Sequence, residues 1–183
     1  LIYIHGGGWI EGSKEEFLQF KEAIRISFPE YAFVAINYRL FDFNTNANRF
    51  PTQENDVIKA INYIQSKTKE WDVSDQLILA GASAGGHLAL LHSYKHQPIG
   101  NIKAVISFFP PTDLASLYSF SLFTQLGLNG LLGGTPQDRP NEYLESSPSN
   151  YVRTAVVPTI IFHGTSDTVV PIWQSDVFSE KLK

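Results

Sequence analysis

The sequence contains neither cysteine nor methionine. The lack of thiols excludes a disulfide framework and a thiolate metal site, and leaves the compartment open. Basic residues never cluster: Lys and Arg number 14 against 18 Asp and Glu, for a formal net charge of −4, so the chain carries no electrostatic footprint for nucleic acid or an anionic membrane. No apolar run approaches the roughly 18 residues that a membrane span needs, and no charged-then-apolar leader opens the chain. A chain without methionine that starts on Leu1, inside the strand-like run LIYI, is expected to be a piece of a longer protein. The cytoplasm is taken as the expected compartment.

What is present is the composition of a globular domain. The 183 residues, 43% hydrophobic and 17% charged, suffice for one domain with a proper core. There is no internal repeat or low-complexity tract. Short apolar runs alternate with amphipathic stretches, the pattern of an α/β fold: a doubly wound, mostly parallel sheet with helices on both faces. Expected strands cover residues 1–4, 33–37, 76–80, 104–108 and 159–163, nearly all apolar, as strands buried on both sides should be.

Phe17, Phe20 and Ile24 mark one helical face, and Val57, Ile61 and Ile64 another that starts after Pro51 and Thr52 with acids in its first turn. A third helix is expected over residues 84–96, and a fourth from about Ile172 to the end. Residues 110–150 break this rhythm, being rich in Pro, Gly, Ser and Asn with islands of Leu and Phe. They are too long for an ordinary connection of about 2 to 6 residues, so we expect a cap or lid inserted in a single domain spanning 1–183. Its Leu114, Leu117, Phe120, Leu122 and Phe123 would suit a lid over an apolar group, or packing.

Three stretches carry chemistry. In LILAGASAGGHLAL, residues 77–90, an apolar strand runs into Gly81-Ala82-Ser83-Ala84-Gly85 and then into a helix. This fits G-x-S-x-G, whose tight strand-to-helix turn presents a strained, exposed serine and aims the next amide and the helix N-terminus at a developing oxyanion. Small residues also crowd such turns for packing alone. In HGGGW, residues 5–9, three consecutive glycines are entropically costly and suit a backbone that must approach something closely, although a plain flexible loop reads the same way. No phosphate-binding glycine pattern is present. In IIFHGTSDTVVP, residues 160–171, Asp167 follows a strand end on the same carboxyl edge of the sheet as Ser83, where a carboxylate can orient an imidazole; a turn or cap role is the alternative.

Together these stretches resemble the α/β-hydrolase family, and within it the esterases and lipases similar to hormone-sensitive lipase. The resemblance rests on His5 to Trp9, Gly81 to His87, His163 to Asp167 with Val170-Pro171, and the connecting Asn37-Tyr38-Arg39-Leu40, Phe50-Pro51 and Asp56, and it spans the whole chain in order. It implies Ser83 as nucleophile, Asp167 as the acid, and the amides of Gly7, Gly8 and Ala84 as the oxyanion hole. Trp9 would line the substrate pocket or cover the core, and Arg39 and Asp56 would form a buried ion pair. The expected reaction is hydrolysis of small or medium acyl esters through an acyl-enzyme, with no metal or organic cofactor. The expected partner is a small-molecule ester, with neither nucleic acid nor a membrane span, and self-association is left open.

One member is missing. The family order is serine, acid, histidine, yet His5, His87, His92 and His96 precede Asp167, and His163 belongs to the acid loop, where it is expected to be a support. The base is therefore expected beyond Lys183, and a polypeptide ending there is expected to be inactive. Peptidases or formamidases of the same scaffold, and a truncated non-catalytic relic, are the alternatives. Ala84 after the serine favours an esterase over the peptidases, which usually place tyrosine there.

Overall fold

The computed structural model describes residues 1–96, 101–152 and 157–183. All five expected strands are present: β1 (Ile2–Ile4), β2 (Val34–Ile36), β3 (Leu77–Ala82), β4 (Ile102–Phe108) and β5 (Thr159–Phe162). They form one sheet in the order β2-β1-β3-β4-β5, every pairing parallel. Gly81, read from sequence as the end of its strand, lies within β3: it pairs with Ser107, and Ala82 with Phe108. Small residues continue the ladder because the backbone of Gly85 and Gly86 packs directly on Gly81.

Four helices stand where periodicity places them: α1 (Leu18–Ser27), entered through a 3-10 turn at Lys14–Phe17, α2 (Thr52–Lys67), α3 (Ala84–Lys95) and α7 (Trp173–Lys181). Ile2, Ile4, Leu79 and Val105 turn one sheet face toward Val57, Ile61 and Ile64 of α2, Leu88 and Leu91 of α3 and Phe178 of α7. Every residue of α3 from Ala84 to Tyr94 is buried, so this apolar helix is the axis of the core. On the opposite face Tyr3 and Ala80 pack against Phe17, with Ile24, Phe33, Ala35 and Ile106 partly buried around them. Phe20 does not join them and is 52% exposed. At 100° per residue, positions 17 and 24 fall nearly in line while position 20 turns about 60° away.

Residues 110–150 are more regular than their composition suggests. They hold α4 (Leu114–Tyr118), α5 (Leu122–Leu132) and α6 (Pro140–Glu145). α5 is framed by a Ser121–Thr124 capping box and by left-handed Gly133. Leu114 and Leu117 sink into the core, whereas Phe120, Leu122 and Phe123 stay at the surface. Phe50 donates its amide to the Leu131 carbonyl, which fastens α5 to the segment before α2. Arg39 and Asp56 pair as expected, with Nε and Nη2 each 2.8 Å from a carboxylate oxygen. The pair is half open, because the Arg39 side chain is 56% exposed.

Candidate active site

The carboxyl edge of the sheet gathers the three sequence motifs. At the end of β3, Ser83 has φ 50° and ψ −119°, a conformation that L-residues avoid without external support. That support comes from both sides. Its amide donates to the Phe108 carbonyl (2.8 Å), and its carbonyl accepts from the His87 amide in the first turn of α3 (2.9 Å). Ser83 is partly exposed, and its Oγ has no hydrogen-bond partner among the described residues. Ala84 opens α3, where first-turn amides have no intrahelical acceptor.

The glycine loop lies against this turn. A Cβ built on Gly6 would sit 3.7 Å from the Ser83 Cβ, so the loop and Ser83 are neighbours. Gly7, Gly8 and Trp9 all have positive φ (95°, 58° and 64°), and a side chain at Gly7 would lie 2.2 Å from the Glu11 carbonyl oxygen. Glycine is required there by both dihedral and space. The Gly7 carbonyl is turned inward, accepting from the amides of Ile10 and Glu11. The amides of Gly7 and Gly8 have no acceptor among the described residues. Unpaired amide donors, in the loop that abuts Ser83, are groups that can receive negative charge.

Two side chains fix the loop, and neither was singled out as a support from sequence. Tyr38 donates its hydroxyl to the carbonyls of His5 (3.0 Å) and Gly6 (3.1 Å), and its ring stacks on that of His5 at 4.2 Å. Burial pushes the phenol well above its ordinary pKa, so it remains a donor. Trp9, 7% exposed, is part of the core and donates its indole N–H to His87 Nδ1 (3.3 Å). His87 in turn donates Nε2–H to the Ser146 carbonyl (2.7 Å), tying the glycine loop, α3 and the end of α6 together. Complete burial pulls His87 down to about 4, which keeps it neutral and fit for this relay of contacts.

Past β5, Asp167 Oδ1 accepts the amides of Val169 (2.8 Å) and Val170 (2.9 Å), which anchors the carboxylate. Its Oδ2 accepts no hydrogen bond within 3.5 Å among the described residues; the nearest cationic candidate is His163 Nε2 at 3.6 Å. His163 is already engaged: Nε2–H donates to the Val170 carbonyl (2.8 Å) and Nδ1 accepts from the Ser175 hydroxyl (2.6 Å). It braces the acid loop, as its position in the sequence suggests. Ala82, Phe108 and Phe162 lie in one register row, so Ser83 and the acid loop are separated by two strand spacings of about 4.8 Å.

No histidine among the five is placed to bridge them. His5 is buried with Nδ1 on the Gly6 carbonyl, and His96 bonds Glu54 through Nε2 (2.7 Å). His92 is buried in α3 and held down to about 4, by burial first and by His96 second.

Known proteins resemble this chain in sequence and in fold. The BD-FAE family model matches residues 1–182. Esterase LipC of Mycobacterium tuberculosis is 25% identical over 197 residues, an alignment covering 100% of this chain and 48% of LipC. A bifunctional GH43-CE protein of Bacteroides eggerthii superposes with a TM-score of 0.82 at 25% identity, covering 99% of this chain and 26% of that one. A thermophilic esterase of Thermogutta terrifontis superposes with a TM-score of 0.72 at 26% identity, covering 99% and 65%. The chain thus spans about half the length of LipC and of other curated relatives that match it end to end.

Proposed function

Since the chain belongs to the BD-FAE family, an α/β-hydrolase esterase family, we propose that it supplies the nucleophile, the acid and the oxyanion hole of a serine carboxylic ester hydrolase. The observation that carries this reading is the pairing of Ser83, held at φ 50° with a free hydroxyl, with the two unpartnered amides of Gly7 and Gly8.

In this reading Ser83 Oγ attacks the ester carbonyl carbon, and its proton passes to an imidazole. The carbonyl oxygen becomes an oxyanion held by the amides of Gly7, Gly8 and Ala84. The same imidazole returns the proton to the departing alkoxide, leaving an acyl group on Ser83. Water then repeats the sequence and releases the acid. Asp167, anchored through Oδ1, offers Oδ2 to the imidazole and stabilises its charged form. That imidazole is none of His5, His87, His92, His96 and His163, each of which is engaged or remote from Ser83. Small and medium acyl esters are the proposed substrates, and the route uses side chains and backbone amides alone.

The test is hydrolysis of p-nitrophenyl butyrate by the complete gene product. Ser83→Ala is expected to lower kcat by about a millionfold and Asp167→Asn by about ten-thousandfold, both remaining folded. Undiminished turnover in Ser83→Ala would refute the assignment.

A further inference from the structure

Phe109 is the first residue after β4, and its φ is 40°. Bulky side chains almost never occupy the left-handed region, and such outliers persist where the surroundings impose them. Here the imposition is visible on both flanks. The Phe109 amide donates to the Phe162 carbonyl at 2.7 Å, and the carbonyl just before it, that of Phe108, receives the Ser83 amide at 2.8 Å. Phe109 is therefore pinned between the nucleophile's strand and the acid's strand.

Phe108 stacks on Phe162 at 5.2 Å on one face of the sheet, so an extended Phe109 would point to the opposite face. His163, the residue after Phe162, turns to that same side, and the Phe109 ring, 37% exposed, lies against the His163 ring, centroids 6.4 Å apart and planes at 72°. It stands at the carboxyl edge above β4, beside the histidine that braces the Asp167 loop.

That is the ground a bridging imidazole must cross. Two strand spacings of about 4.8 Å separate Ser83 from the acid loop. One imidazole with a hydrogen bond of about 2.8 Å at each nitrogen fits a gap of that size. β4 is the strand between, and the side chain at its end is Phe109. On the reading given under Proposed function, we propose that the Phe109 ring is the floor on which the catalytic imidazole rests, making Phe109 a positioning residue whose backbone strain is retained for that purpose. The aromatic ring would keep the imidazole from tilting away from the Ser83–Asp167 line and would favour its charged form through its π face.

The experiment uses the complete gene product, with fluorophosphonate labelling of Ser83 to count active sites and p-nitrophenyl butyrate to measure turnover. Phe109→Ala is expected to lower kcat about 10- to 100-fold, the scale of a small misplacement of a reacting group, with KM within about twofold. The acid limb of its kcat/KM profile should move to lower pH. Phe109→Tyr should recover most of the kcat. Phe109→Gly supplies the control for folding: it relieves the positive φ, so its melting temperature should equal or exceed the parent's while its kcat falls as in Phe109→Ala. A raised KM at unchanged kcat would make Phe109 a substrate wall and overturn the proposal, as would full activity in Phe109→Gly. If the parent protein is neither labelled at Ser83 nor active, the serine-hydrolase reading fails and this one falls with it.

Discussion

Gly85 shows how little room the turn at Ser83 has. A Cβ at that position would lie 2.1 Å from the Ile4 carbonyl oxygen and 2.4 Å from that of His5, so the helix after Ser83 rests directly on the strand that feeds the glycine loop. Both neighbours are backbone and cannot rotate away. Gly85→Ala is expected to destabilise the fold by about 3 kcal/mol, at the upper end of overpacking costs, read as a lowered urea midpoint. His87 carries the second expectation at this scale. Burial lowers it to about 4 from an ordinary value of 6.5, so between those limits the unfolded chain binds more protons than the native one. Stability therefore rises with pH across that window and is flat above it, with a span of about 3 kcal/mol for this residue. His92, also held down to about 4 by burial, steepens the same slope. Urea midpoints taken from pH 4 to 8 should show the rise, and His87→Gln should make it shallower; an unchanged slope would mean that His87 titrates normally. That Ser83, Asp167 and the glycine loop would stand at one edge of the sheet was legible because each motif joins a rare residue pattern to a strand end. The supports were not: nothing local in Asn37-Tyr38-Arg39-Leu40 announces that the Tyr38 hydroxyl reaches two carbonyls more than thirty positions away.

At the level of elements, the strands were legible because burial on both faces removes polar residues from them, whatever their register. The helix expected from Phe17, Phe20 and Ile24 was present but mis-phased, since its 3-10 entry and single covered face leave Phe20 in solvent. The three helices of residues 110–150 stayed hidden for a different reason. α5 is apolar on most sides, with Leu128, Leu131 and Leu132 buried and Leu122, Phe123 and Leu126 exposed, so no period of 3.6 stands out. Its local signals, a Ser121–Thr124 cap and Gly133, are of the kind that also mark ordinary turns. The glycine loop gives the element-scale prediction. Tyr38→Phe removes the donor from two buried carbonyls, which should cost about 1 to 3 kcal/mol in a urea melt. Because those carbonyls set the direction of the neighbouring amides, kcat should fall about tenfold or more while KM changes little. Unaltered kcat would place the loop's rigidity elsewhere.

For the molecule as a whole, coverage of the sheet is lopsided. The face beneath α2, α3 and α7 is closed, whereas toward β5 the other face opens, with Ile160 50% and Phe162 48% exposed beside a strand edge that has no partner strand among the described residues. Apolar side chains next to open backbone donors and acceptors favour association. A purified polypeptide of residues 1–183 should therefore sediment above its 20.5 kDa mass at micromolar concentration, and Ile160→Lys should shift it toward the monomer. A monodisperse monomer would contradict this. No helix among the described residues is long and apolar enough to cross a membrane. The domain-scale arrangement was legible because strand and helix alternate in the order that a parallel sheet requires. How deeply Leu114 and Leu117 enter the core was not, because their contacts come from distant segments.

The central claim is that Ser83 is a nucleophile served by the amides of Gly7, Gly8 and Ala84. The most direct measurement is intact-mass spectrometry of the complete gene product after exposure to a fluorophosphonate, followed by peptide mapping, with Ser83→Ala in parallel. The account predicts one adduct per chain, carried on the peptide that contains Ser83 and absent from the variant. Labelling that persists in Ser83→Ala, or a parent protein that takes up no adduct at all, would contradict it.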